Sequence, residues 1–217
     1  MTTLAPVSQA AAPHFLAVFG AFATRPDDAL PPGTRSLVLL GPAEPGFWPH
    51  MLAQPEWQDG APDPFDRWSR RVIGAIASDL GASALFPFGG PPHHPFYHWA
   101  LRSGRAWASP VRLLVHDTAG LFVSYRGALA LRETLDLPPP PTSPCASCAT
   151  QPCRTACPVA ALTDVGYDLP ACHRFLDTSG GNDCLTGGCA VRRSCPASRG
   201  YARMPQQSAY HMGQFHR

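Results

Sequence analysis

Apolar positions fall into short runs and one long helical stripe. Residues 36–40 (SLVLL) form a continuous apolar run between Gly33 and Gly41-Pro42, which predicts a buried strand. Residues 14–22 (HFLAVFGAF) read as a weaker strand, with a short helix as the rival reading. Residues 44–52 predict a short helix carrying Phe47, Trp48, Met51 and Leu52. The clearest helix spans 63–80, where Trp68, Val72, Ile76 and Leu80 recur every four residues. Asp63 is placed to cap it, Pro64 suits its first turn, and Gly81 suits a left-handed stop. A strand over 83–88, a Pro/His loop over 91–95 and a short helix over 96–102 follow. Two strand-like runs, 111–116 and 121–128, flank the turn residues 117–120 and read as a hairpin. Residues 131–137 lead into the stiff polyproline stretch 138–141. Beyond it the apolar periodicity fades, until residues 206–215 offer a short terminal helix.

Composition changes this picture in two ways. Hydrophobic residues make up 45% and charged residues 15% of the 217, enough apolar material for a core and too little charge for a disordered chain. The net charge is only +2, so binding to nucleic acid gains no support from bulk charge. No apolar run approaches the ~20 residues needed to span a bilayer, and the first residues carry no basic segment followed by an apolar one. The expectation is a cytoplasmic protein without a membrane partner. In a reducing compartment, clustered cysteines bind metal or do redox work more often than they form disulfides.

All eight cysteines lie after residue 144. Cys145-x2-Cys148-x4-Cys153-x3-Cys157-Pro158 is close to the bacterial 4Fe–4S run Cys-x2-Cys-x2-Cys-x3-Cys-Pro, with two extra residues in the middle gap. Three thiolates of such a loop serve one cluster, and the fourth points to another. The remaining cysteines are Cys172, Cys184, Cys189 and Cys195, the last again followed by proline. Two four-iron clusters need eight thiolates. A crossed assignment gives Cys145, Cys148, Cys153 and Cys195 to one cluster and Cys157, Cys172, Cys184 and Cys189 to the other. From residue 141 on there are seven Arg and four Asp, and Arg192 and Arg193 would raise the potential of a nearby anionic cluster. Zinc is the alternative metal, since two four-cysteine sites would also use every thiolate. Disulfides or free thiols are a third reading.

The order of these features resembles epoxyqueuosine reductase, a cobalamin-dependent iron–sulfur family. The resemblance is carried by LLVHDTAGLFVSYRGALALRETLDLPPPP, CASCATQPCRTACPVAAL, YDLPACHRFL and CLTGGCAVRRSCP. The first stretch is also similar to the cobalamin-processing (decyanating) proteins, in which a like hairpin and Arg-Gly follow a His. The resemblance implies an α/β (α+β) fold: a nitroreductase-like mixed-sheet domain over 1–140, a ferredoxin-like iron–sulfur module over 141–200 and a tail over 201–217. It implies two 4Fe–4S clusters and a cobalamin (corrinoid) or flavin held by the first domain and reduced by them. A redox partner protein is expected, as donor or acceptor of the electrons. The chain departs from the family where Asp-x-x-Pro-x-x-Glu-Arg would carry the catalytic acid, and PFGGPPHHPFYHW stands before residue 101 instead. No catalytic residue is therefore assigned.

Outside the cysteines, His116 and Asp117 end a predicted strand, on the sheet edge that the resemblance turns toward a cofactor; a turn Asp and a satisfied strand His is the competing reading. Arg126 before Gly127 suits an anion or a strand anchor. His94 and His98 are four apart, but Pro91, Pro92 and Pro95 argue for a loop rather than a metal-binding helix face. His211 and His216 lie in the tail, at the predicted terminal helix. The function expected is electron transfer through two iron–sulfur clusters. The alternatives are a carrier with no chemistry of its own and a zinc-stabilised binding module.

Overall fold

The computed structural model describes residues 2–216. The chain is α+β, with antiparallel sheets and a cysteine-rich helical region over 145–195. Helices are α1 (Ala5–Ala11), α2 (Phe47–Leu52), α3 (Pro55–Gln58), α4 (Pro64–Asp79), α5 (Phe96–Arg102), α6 (Leu169–Leu176), α7 (Asn182–Gly187), α8 (Ala190–Ser194), α9 (Pro196–Gly200) and α10 (Pro205–Phe215). Strands are β1 (Leu16–Ala23), β2 (Ser36–Pro42), β3 (Ser83–Leu85), β4 (Ala106–Ala108), β5 (Leu114–His116) and β6 (Gly127–Leu131). None of the described helices is long and apolar enough to cross a membrane.

Two compact units form. The first holds the chain up to Arg105 together with Ser124–Pro141. The second holds Ala106–Val123 and the chain from Thr142 on. The segment 106–123 thus sits with the cysteines rather than with the preceding residues, and the tail after 200 is part of the same unit.

In the first unit the sheet order is β1-β2-β6-β3. Every strand pairing is antiparallel, where the resemblance implied a mixed sheet. Central β2 is buried along its whole length, which is why its sequence is apolar without alternation. Of the predicted four-residue stripe, Trp68, Val72 and Ile76 are buried on α4, whereas Leu80 falls just past its end and is half-buried; Trp68 packs edge-on against Phe47 at 5.4 Å. At the end of α4, Gly81 has φ +62°, its N–H reaches Ser78 O, and the Ala82 N–H reaches Ala77 O at 2.8 Å. This is a Schellman stop, and it explains the glycine. Asp63 does not cap the start. It adopts φ 53°, and its side chain makes no capping bond. Arg67 instead pins the entry, bonding Pro62 O, Ala61 O, Glu56 O and the Asp59 carboxylate.

The predicted hairpin between 111–116 and 121–128 does not form. β5 pairs back onto β4, with His116 opposite Ala106. The turn after β5 does close, by paired bonds between His116 and Gly120. The next N–H, that of Leu121, is taken by the Ser198 hydroxyl at 2.8 Å. The next donor of the ladder, the Phe122 N–H, turns back onto Ala119 O at 3.0 Å, so the strand does not propagate. β6 starts only at Gly127, where β2 and β3 receive it.

Candidate functional site

The cysteine segment folds by local turns, without long periodic elements. The Cys148 N–H bonds Cys145 O, and Gln151 turns left-handed at φ 39° into a single 3-10 turn over Pro152–Arg154 that carries Cys153. After Cys157, the Ala160 N–H bonds Cys157 O and the Ala161 N–H bonds Cys157 Sγ at 3.2 Å. Helix α6 carries Cys172 and is capped by Asp168, whose carboxylate accepts the Ala171 N–H at 2.9 Å. Cys184 lies on α7, Cys189 precedes α8, and Cys195 sits extended between α8 and α9. Gly188 links α7 to Cys189 at φ +89°, and a Cβ there would lie 2.6 Å from the Ser208 side chain. No other residue fits that link without movement.

All eight cysteines are free thiols, and Cys153, Cys184 and Cys195 are buried. Their electrostatic neighbours divide them. Burial first, then Cys153, Cys195 and Cys148, push the Cys145 thiol up; burial, Cys195 and Cys148 do the same to Cys153. Burial raises Cys172, with Cys189, Cys157 and Cys184 adding to it. Burial, Cys189 and the Asp183 carboxylate raise Cys184. The thiol neighbours of Cys145 and Cys153 thus fall within 145/148/153/195, and those of Cys172 and Cys184 within 157/172/184/189. In each set the thiolates repel one another in a part-buried setting, which a cationic metal group would relieve.

The first set lines a cavity of about 30 Å³, together with Ser109 and Leu121. Its floor belongs to an apolar cluster of Val111, Val115, Leu121, Leu162 and Val191 with Cys153 and Cys195. The Ser109 hydroxyl is buried and has no hydrogen-bond partner among the described residues. A donor left over beside four sulfurs fits a sulfur-rich occupant.

The second set carries more visible donors. The Tyr167 hydroxyl donates to Cys172 Sγ at 3.3 Å. Arg192 acts on Cys189 and Tyr167, and its guanidinium is held by Leu121 O. Arg193 acts on Cys184, bonds Gly188 O at 2.9 Å and pairs with Asp183. Among the described residues, no three His, Cys, Asp or Glu side chains form a group able to hold a metal ion.

The other sequence candidates lie elsewhere. His116 is fully buried at the end of β5; its Nδ1 lies 2.9 Å from Asp117 Oδ1 and 3.1 Å from the Thr118 amide. Both residues thus shape the turn. Arg126 is in the first unit, 3.6 Å from Asp66 and over the Phe65 ring. His94 stacks on Trp99 from the loop that precedes α5. In the tail, His216 Nδ1 is 2.7 Å from His173 Nδ1 and its Nε2 is 3.0 Å from Asp177.

Sequence reasoning missed Ser109 and Tyr167. Ser109 lies 36 residues before Cys145, and only the folding of segment 106–123 into the cysteine unit brings it in. Tyr167 carries no spacing signal, and its role depends on a one-bridge hairpin, Leu162 opposite Tyr167. Comparison with known proteins gives no match: no family model, no curated protein and no solved structure is similar to the chain.

Proposed function

We propose that the chain is a redox protein whose eight cysteines hold two 4Fe–4S clusters, in the sets 145/148/153/195 and 157/172/184/189. The observation that carries the reading is this grouping: the buried or half-buried thiols whose electrostatics respond to other thiols respond only to members of their own set. When bound, each cluster would accept and release one electron. The chain supplies deprotonated thiols, N–H and O–H donors to sulfur, the cations Arg192 and Arg193, and an apolar wall that limits water. These are the levers by which a protein sets cluster potential.

The zinc alternative is less well supported. Zinc needs its sulfurs at about 2.3 Å from one point. The run from Cys145 to Cys157-Pro158 is closer in spacing to a 4Fe–4S loop than to a zinc site. The ferredoxin-like character of the second unit belongs to the same proposal, as does a redox partner protein. A corrinoid or flavin fits the residues offered for it less well. His116 and Asp117 are spent on their turn, and Arg126 is engaged with Asp66 and Phe65. No step is derived through such a group, and the nitroreductase-like assignment of the first unit rests on the resemblance alone.

The test is site-resolved loading. Purified without oxygen, the C153A and C184A variants should each lose about half of the iron and labile sulfide, roughly four of eight per chain. Loss of all iron from either variant, or of none from both, would contradict two separate four-iron sites.

A further inference from the structure

We infer that the two centres are unequal, and that Tyr167 helps make the one held by Cys157, Cys172, Cys184 and Cys189 the centre of higher reduction potential. This rests on the iron–sulfur reading above. One small hairpin grips two sulfurs of the second set. Its incoming arm gives the Ala161 N–H to Cys157 Sγ at 3.2 Å, and its outgoing arm gives the Tyr167 O–H to Cys172 Sγ at 3.3 Å. The arms are tied by the Leu162–Tyr167 bridge and by the Asp168 N–H on Ala161 O at 2.8 Å. The Tyr167 ring lies nearly parallel to Phe215, at 6.2 Å, which fixes where its hydroxyl points.

Charge adds to the asymmetry. Arg192 acts on Cys189, while at Cys184 the Asp183 carboxylate offsets the Arg193 paired with it. The first set has the Ser143 hydroxyl on Cys145, Arg154 near Cys153 and the unpartnered Ser109 hydroxyl. Arg192, the Ala190 backbone bond to Cys184 and two bonds fixed by one hairpin outweigh Arg154, the backbone bond at Cys153 and two rotatable hydroxyls. Reduction adds one negative charge, and donors and cations close to sulfur stabilise that added charge. The electron comes from an external low-potential reductant, and Tyr167 keeps its proton throughout.

The experiment is an anaerobic redox titration with dithionite, followed by electron paramagnetic resonance, on the full-length iron-loaded protein. The wild type should show two midpoints. Y167F keeps the ring and its stacking and loses only the O–H. It should lower the higher midpoint alone, by about threefold to tenfold in the reduction equilibrium, tenfold being about 59 mV for one electron. S109A should leave the higher midpoint where it is. Coincident wild-type midpoints, or a Y167F shift in the lower midpoint or in neither, would overturn the inference with the cluster reading intact. A protein that takes up no iron gives no signal and removes both.

Discussion

The Leu121 peptide is held at both ends, and Ser198→Ala isolates one of them. The Leu121 N–H is bonded by Ser198 Oγ at 2.8 Å, and the Leu121 carbonyl is taken by Arg192. Leu121 is 1% exposed and Ser198 2%, so no water can replace the hydroxyl without opening the fold. The substitution removes one oxygen and adds no bulk, leaving a buried N–H unpaired. Such an orphan costs about 1–3 kcal/mol. Leu121 packs in the cluster that contains Cys153 and Cys195, so the cost falls on the wall of the first cysteine set. Hydrogen exchange of the Leu121 amide, followed by NMR on the anaerobic protein, reads this directly. At about 1.4 kcal/mol per factor of ten, exchange should accelerate about 5-fold to 150-fold in S198A. Ser194→Ala removes a bond from a part-buried hydroxyl to Val191 O within α8 and should leave the Leu121 amide unchanged. An S198A protein with wild-type exchange at Leu121 would refute the reasoning, because it would mean the N–H is satisfied elsewhere or already open.

Three further outcomes follow from named contacts. Gly188→Ala places a Cβ 2.6 Å from the Ser208 side chain at φ +89°, so the Cys184–Cys189 link must shift; iron analysis should show selective loss from the second set, and full loading would contradict the tight link. Trp68→Ala empties a fully buried site in the first unit and should destabilise that unit by about 3–5 kcal/mol, seen as an earlier urea transition; an unchanged midpoint would contradict its place in the core. Asp59 is held down to about 2 by the Arg67 guanidinium and the Ala61 N–H, so its carboxylate should stay charged as pH falls and titrate near that value by carbon NMR. The sign follows from a depressed carboxylate: whatever this pair contributes is present above the unfolded value and is lost as pH drops toward 2. In R67A the titration should move back up toward 3.8, and an unmoved titration would contradict the pairing.

Local features were legible in the sequence wherever one short-range rule decided them. β2 was readable because a central strand is apolar on both faces, and α4 because its four-residue repeat and Gly81 agree. α5 and α10 also lie where their patterns place them, to within a residue. Asp63 and the 111–128 hairpin were misread because competing local bonds won. Arg67 pins the chain where a cap was expected, and the Phe122 N–H that a second strand would have used turns back onto Ala119 O. The turns joining Cys145 to Cys157 were legible because thiol spacing over short gaps is a local constraint. The hydroxyls of Ser109 and Tyr167 were not, because their placement beside the sulfurs depends on how segment 106–123 and the 161–168 hairpin fold back.

The most direct test of the central claim is the content of iron, acid-labile sulfide and zinc in the full-length protein purified without oxygen. The account predicts a brown protein with about eight iron and eight sulfide per chain and no stoichiometric zinc. A colourless protein with about two zinc and no sulfide would contradict it, leaving the thiols as a structural metal module with no redox role.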